Sequence, residues 1–493
     1  MSHPPYQASL DRRRAGLLLH ITSLPGRGSC GDLGADAYRF VDFLQQAGVS
    51  VWQTLPVGPT QEDGSPYQST SMHAGNPRLI SLHGLAEQGL IDALPDGAIS
   101  DDKKRRLLRL AWQNFEASAS DSIRGEYQAF LRQHREWLDD YALFRALQEE
   151  QGDRCWWHWP AVIRDRERGA LESARQRLNK ALAFIRFEQF QFFSQWMALK
   201  KYANERGVRM FGDMPIFVAH DSAEVWAQRE LFELDAEGQP TVVAGVPPDY
   251  FSATGQRWGN PLYRWDRLAE DDFSFWVARL KTQLLLFDLI RVDHFRGFEA
   301  YWEIPAQNEH AIDGRWVKAP GEALFERLHE IYDPLPLVAE DLGLITPEVA
   351  EMRRQFGLPG MKILQFAFSG GADNPYLPFR HESNSVTYTG THDNDTTLGW
   401  YLDLDDAARQ HVDDYLGRSR EAMPWPMIRC ALASRSRLAV LPMQDLLALD
   451  GEHRMNLPGT IGGNWKWRFQ WQQLDHTLAR RLYRRVEMYG RLA

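Results

Sequence analysis

The sequence predicts an α/β fold, a closed (β/α)8 TIM barrel with helical and loop insertions and no separate C-terminal β-domain. Three observations predict it. Eight short apolar, β-branched or aromatic runs end in polar residues, amphipathic stretches precede several of them, and the uneven spacing between runs marks where insertions lie.

The eight expected strands are 15–20, 49–55, 208–213, 287–293, 336–341, 361–366, 385–391 and 438–444, with helices at 36–47, 187–206, 266–287, 322–332 and 347–356. A chain of 493 residues accommodates one such catalytic barrel over 1–493 and excludes a small module. The largest gap makes 60–206 a largely helical insertion between strands 2 and 3, rich in Arg, Glu, Gln and Leu from 101 onward. The second, 217–266, is an aromatic, Gly/Pro-rich active-site loop insertion: Gly245-Val-Pro-Pro-Asp-Tyr-Phe251 and Gly255-Gln-Arg-Trp-Gly-Asn-Pro261 are loop chemistry at a length that usually means function. After Gln444 the residues read as helical and aromatic.

Composition narrows the partners. Lys plus Arg is 56 and Asp plus Glu 66, a formal charge of −10 with no basic tract, so neither nucleic acid nor an anionic membrane is expected as partner. Cys30, Cys155 and Cys430 lack disulfide or metal spacing, which suits a reducing, cytoplasmic setting. Arg12 to Arg14 followed by an apolar stretch imitates a signal peptide, but His20 interrupts it and no small-residue cleavage site follows. No apolar run approaches the ~18 residues of a membrane span. The 18 Trp exceed ordinary core needs, and flat rings stack on sugars as well as filling cores.

A barrel places catalytic groups at the C-terminal ends of its strands, and four acids meet that demand: Asp213, Asp293, Glu340 and Asp393. Asp213 alone could be a turn or helix-capping residue. In Arg291-Val-Asp-His294 the period of two puts Arg291 and Asp293 on one face, where the guanidinium would keep the aspartate ionised as a nucleophile requires; a structural ion pair is the alternative. Glu340 leaves an apolar strand, so desolvation would raise its pKa and make it a general acid, and strand alternation lets only one of Glu340 and Asp341 point inward. His392 and Asp393 could both reach a ligand, or His392 could serve as a hydrogen-bond donor behind it. Metal binding by His20, His294 and His392 has no local ligand spacing behind it. An aspartate nucleophile beside a glutamic acid is the arrangement of retaining glycosidases, and Tyr250, Phe251 and Trp258 could then stack on glucose units.

At these residues the chain resembles the amylomaltase, or 4-α-glucanotransferase (disproportionating enzyme), family of the wider α-amylase clan. The motifs run nearly end to end: Gly16-Leu-Leu-Leu-His20, Ser65-Pro-Tyr-Gln68, Gly212-Asp-Met-Pro-Ile216, Arg291-Val-Asp-His-Phe295, Ala339-Glu-Asp-Leu-Gly343, Gly390-Thr-His-Asp-Asn394, Asn456-Leu-Pro-Gly459 and Asn464-Trp-Lys-Trp-Arg468. The resemblance implies Asp293 as nucleophile, Glu340 as acid/base and Asp393 as transition-state stabiliser. It implies sugar contacts from Tyr67, Asp213, Asp249, Gln256, Trp258, Arg291, His294, His392 and Asn464, and from Asp373. It further implies no metal or organic cofactor, a cytoplasmic monomer or homodimer, and maltooligosaccharides and α-1,4-glucans as substrates. The expected reaction is retaining transfer of a glucan segment to a 4-hydroxyl through a covalent glycosyl-enzyme. The alternatives are an α-1,4-glucan hydrolase of the same chemistry and a catalytically inactive carbohydrate-binding barrel.

Overall fold

The computed structural model describes residues 10–92, 94, 97–248, 252–460 and 462–492. Its twelve strands, numbered in chain order, are β1 (Arg14–Leu18), β2 (Val51–Gln53), β3 (Arg209–Met214), β4 (Val242–Val246), β5 (Gln256–Pro261), β6 (Leu289–Val292), β7 (Ala300–Pro305), β8 (Arg315–Lys318), β9 (Leu337–Ala339), β10 (Gly360–Ile363), β11 (Ser385–Tyr388) and β12 (Leu438–Pro442). Eight of them form a parallel sheet in the order β10-β11-β12-β1-β2-β3-β6-β9, and these are the eight runs read from the sequence. The sheet curls round until its edges meet: Ala339 N donates to Pro359 O at 2.8 Å, and just beyond, Met361 N donates to Asp341 Oδ1 at 2.7 Å. The result is a (β/α)8 barrel.

Alternation sorts the side chains. Leu18, Val51, Phe211, Leu289, Val338, Met361, Val386 and Leu438 form one buried cluster inside the barrel, while Leu17, Trp52, Met210, Ile290, Ala339 and Leu441 pack outward under the helices. Burial of both faces explains why the strands read as continuous apolar runs. Barrel helices include Ala35–Gln46, Gly321–Ile331 and Pro347–Gln355. The segment expected as one helix over 266–287 is two, Trp265–Glu270 and Ser274–Leu286, separated at Asp272 and Phe273, whose φ values are 50° and 55°. Among the described residues no strand follows Pro442.

Between β2 and β3 lie several helices, among them Asp101–Ser118, Asp121–Gln133 and Arg135–Glu150, ending in the long Asn179–Glu205. Ser100 and Ser120 cap two of them, accepting from Lys103 N and Ile123 N. Gln189 and Gln195 of the long helix each clasp both the N–H and the C=O of one extended residue, Gly75 and Ser81. That clasp fixes the chain that leaves Tyr67.

The stretch 217–266 differs from the loop read in the sequence. It contains a helix, Ala223–Ala227, and strands β4 and β5, which join β7 and β8 in an antiparallel sheet of order β5-β4-β7-β8. Its glycines and prolines suggested loop. Val242 and Val243 find their partners in β7, more than fifty residues on, so pairing outside the local window decides the outcome.

Candidate active site

The inner rows of the strands aim the acids. On β3, Phe211 and Asp213 face inward, and the intervening Gly212 faces out where a Cβ would collide with the Phe287 ring. On β6 the inward row is Leu289, Arg291 and then Asp293; on β9 it is Val338 and then Glu340. Asp341 falls on the outer row, bonded to Met361 N and 3.2 Å from Arg353 Nε. Glu340 is therefore the acid at the cleft, and Asp341 belongs to the seam of the barrel.

Arg291 is buried and shared. Its Nη1 donates to both oxygens of Asp213 at 2.9 and 2.8 Å, and its Nη2 lies 2.8 Å from Asp293 Oδ1. Tyr67 donates its hydroxyl to Asp213 Oδ2 at 2.9 Å and sits 2.8 Å from His392 Nε2, with the two rings stacked 5.3 Å apart. Since the phenol proton goes to Asp213, His392 Nε2–H faces the phenol oxygen and Asp393 Oδ2, the latter at 3.2 Å. Asn456 completes the clamp, donating to Asp393 Oδ1 at 2.6 Å, while Arg454 holds the Asp393 carbonyl. One polar chain thus links Asp293, Arg291, Asp213, Tyr67, His392 and Asp393.

Glu340 is held differently, by backbone amides: His294 N donates to Oε2 at 2.7 Å and Leu342 N to Oε1 at 3.0 Å. The first of these depends on His294 adopting φ 53°, a left-handed conformation uncommon for a side chain of its size and a constraint worth its strain only at a site. The His294 ring meets Trp258 edge-to-face at 4.8 Å, its Nε2 is buried without a hydrogen-bond partner among the described residues, and Trp258 Nε1 donates to Gln256 Oε1 at 3.1 Å.

The three carboxyls have distinct electrostatic settings. Burial raises Glu340 to about 7, opposed by Arg291 and reinforced by Asp293. Burial also pushes Asp293 up, with Asp213 and Asp393 adding to it against the pull of Arg291, although 28% of its side chain stays open to the cleft. Here the sequence reading, that Arg291 keeps Asp293 ionised, is corrected: Arg291 does pull Asp293 down, but burial outweighs it, and the same guanidinium is bonded to Asp213 as well. For Asp393, burial opposes ionisation, but His392, Asn456 and Arg291 prevail and hold it well below the usual carboxylate range. Burial raises the Tyr67 phenol, and Asp213 beside it does the same, so it stays a donor.

The structure gathers Tyr67, Asp213, Gln256, Trp258, Arg291, Asp293, His294, Glu340, His392 and Asp393. Asn464 instead serves its own loop, accepting from Leu457 N and donating to Thr460. Asp373 is exposed in the loop after β10. Asp249, with Tyr250 and Phe251, lies outside the described residues. His20 is buried against Thr54, where burial lowers its ring to about 3, and among the described residues no group of His, Cys, Asp and Glu is arranged to hold a metal. No described helix is long and apolar enough to cross a membrane. Sequence reasoning assigned no role to Asn456, Arg454 or Trp465, the last at φ 64° and 6.0 Å from the Tyr67 ring; they arrive from some sixty to seventy residues beyond Asp393, and the sequence motifs contain Asn456 and Trp465 but not Arg454.

Comparison with known proteins agrees with this geometry. A family model described as 4-alpha-glucanotransferase matches residues 19–474. The chain is 51% identical to a 4-alpha-glucanotransferase of Thermus thermophilus, over 97% of this chain and 99% of that one, and 47% identical to one from Synechocystis sp., over 98% and 99%. Among solved structures, an amylomaltase from Streptococcus agalactiae in complex with acarbose superposes with a TM-score of 0.94 at 38% identity, covering 98% of this chain and all of the other.

Proposed function

The chain belongs to the 4-alpha-glucanotransferase family, and on that premise we propose that this cleft transfers α-1,4-glucan segments by two displacements at one anomeric carbon. Asp293 attacks that carbon while Glu340, protonated, gives its proton to the departing glycosidic oxygen. The donor segment is left as an ester on Asp293 and the rest of the chain leaves. Glu340, now ionised, takes the proton from the 4-hydroxyl of an incoming glucan, whose oxygen displaces Asp293 and restores the α-linkage. Asp393, kept ionised by His392 and Asn456, faces the positive charge that develops on the sugar ring in both steps.

The remaining groups hold the sugar. Arg291 and Tyr67 keep Asp213 and Asp293 in register, and His294 Nε2, unpartnered among the described residues, is placed to bond a glucose hydroxyl. Trp258 above His294 supplies a stacking face and sheds water, so that a bound sugar rather than water meets the ester.

The observation that carries this reading is the gathering of three strand-end carboxyls, Asp293 on Arg291, Glu340 on two backbone amides and Asp393 between His392 and Asn456. It is supported by burial raising Glu340 while its partners lower Asp393. Pure maltotriose is the test. Transfer yields glucose together with maltotetraose, maltopentaose and longer chains; glucose and maltose alone would make the protein a hydrolase, and no products at all would make it a binding barrel.

A further inference from the structure

The antiparallel sheet carries a second aromatic surface that the chemistry above does not use. Arg257, Gly245, Trp302 and Trp316 stand opposite one another across β5, β4, β7 and β8, so they share one face. Trp302 and Trp316 meet with ring centroids 5.2 Å apart. Arg296 lies 3.7 Å over the Trp316 ring, and its Nη1 donates to the carbonyl of Leu344. Arg296 covers one face of the Trp316 ring, yet 39% of Trp316 remains exposed, and Leu344, tied to Arg296, is exposed at 63%.

The backbone ties this surface to the segments that carry the cleft on both sides. Arg296 follows Asp293 by three residues, and Phe295 N donates to Glu340 O at 3.1 Å; Leu344 is four residues beyond Glu340. On the other side Ala311 N donates to Thr254 O at 3.1 Å, which joins the β7–β8 connection to the segment leading into Gln256 and Trp258. Arg296 is itself unusual. It is 7% exposed, has no carboxylate partner among the described residues, and leaves Nε without a partner.

We propose that Trp316, backed by Arg296 and Leu344, is a distal subsite for the leaving and acceptor side of the glucan, engaged only by chains that extend well beyond the scissile bond. This rests on the transfer reading. The side is set by Glu340: the acid must stand at the departing oxygen, and the patch hangs from the acid's own loop. The ligand class follows from the chemistry, since an exposed aromatic plane fits the apolar face of a glucose unit, while Arg296, buried against the ring, steadies it by a cation–π contact.

The experiment compares kcat/KM for maltoheptaose with kcat/KM for maltotriose in wild type, Trp316→Ala and Trp316→Phe. The ratio should fall about threefold to tenfold in Trp316→Ala, the effect of losing one stacking contact, and recover in Trp316→Phe. A merely structural tryptophan would lower both substrates alike and leave the ratio unchanged; that result overturns the subsite. So does an unchanged ratio accompanied by a shift in oligomeric mass, which would make the patch a contact between copies. Failure of the wild type to build longer chains from maltotriose would instead overturn the transfer reading.

Discussion

Glu340 and Asp341 are neighbours in sequence with the same chemistry, and strand alternation gives them opposite work. Glu340 faces the cleft on two backbone amides, whereas Asp341 holds Met361 N and Arg353 across the seam. The pH dependence should separate them. In the proposed reaction Glu340 acts protonated, so the rate should fall as pH rises through its value of about 7; Asp293 acts ionised, so the rate should fall as pH drops through its own raised value. The expected kcat/KM profile is a narrow bell on the acid side of neutrality. Glu340→Gln should lose about 10²–10⁴ in turnover together with the alkaline limb, whereas Asp341→Asn should lower thermal stability and keep the limb; the reverse pattern would exchange the two roles. A second residue, Trp258, governs acceptor choice in the proposed reaction. Trp258→Ala removes the ring packed on His294, opens the ester to water and should raise free glucose relative to longer products from maltotriose, a ratio read directly by chromatography. At this scale the inward row of acids was legible, because alternation follows from covalent geometry. The sharing of Arg291 between Asp213 and Asp293 was not, because it depends on a register between β3 and β6 that places Asp213 beside Arg291, seventy-eight residues apart.

The loop that carries His392 and Asp393 owes its shape to a residue on the next strand's far end. Asp445, fully buried just after β12, accepts from Thr397 N at 2.7 Å, Thr397 Oγ1 at 2.6 Å and Thr389 Oγ1 at 2.5 Å, so it ties both ends of the loop. Asn394 adds an internal brace, accepting from Thr391 N and Oγ1. Asp445→Ala should therefore lower kcat about tenfold to a hundredfold with less effect on KM, because the sugar's other contacts remain while Asp393 loses its fixed position. Hydrogen exchange should show protection lost over 389–397 and kept in the barrel strands; unaltered exchange there, or an unaltered kcat, would refute the role. Elements differ in legibility for a related reason. Barrel strands are buried on both faces and announce themselves as apolar runs, but β7 and β8 mix Trp302 and Val317 with Glu303, Arg315 and Lys318, a half-solvated pattern that passes for loop until the partner strand is known.

The long helix Asn179–Glu205 joins the helical insertion to the barrel: Trp196 Nε1 donates to Leu286 O, Lys200 to Leu285 O, and the two glutamines clasp Gly75 and Ser81. Inside it sits Glu188, 8% exposed, raised to about 8 by burial and by Glu149 against the pull of Arg105, Arg145 and Arg109. A carboxyl raised in the folded state binds its proton more tightly there than in the unfolded chain. Its contribution to stability is fully present below its ordinary value of 4.5 and is lost as pH climbs through about 8. Glu188→Gln keeps the shape and removes the proton. The variant's melting temperature relative to wild type should therefore rise between about pH 5 and pH 9, by roughly 1 °C for each kcal/mol of linkage released in a chain of this length. Glu224, Glu340 and Asp293 are also raised by burial, but they titrate in both proteins and cancel from the difference. Melting curves for wild type and Glu188→Gln that stay parallel across that interval would mean that Glu188 is ionised in the folded state, and that its arginine neighbours outweigh its burial. A gap that opens with pH would show that Glu188 is held protonated inside the helical insertion and that its ionisation destabilises the fold under alkaline conditions.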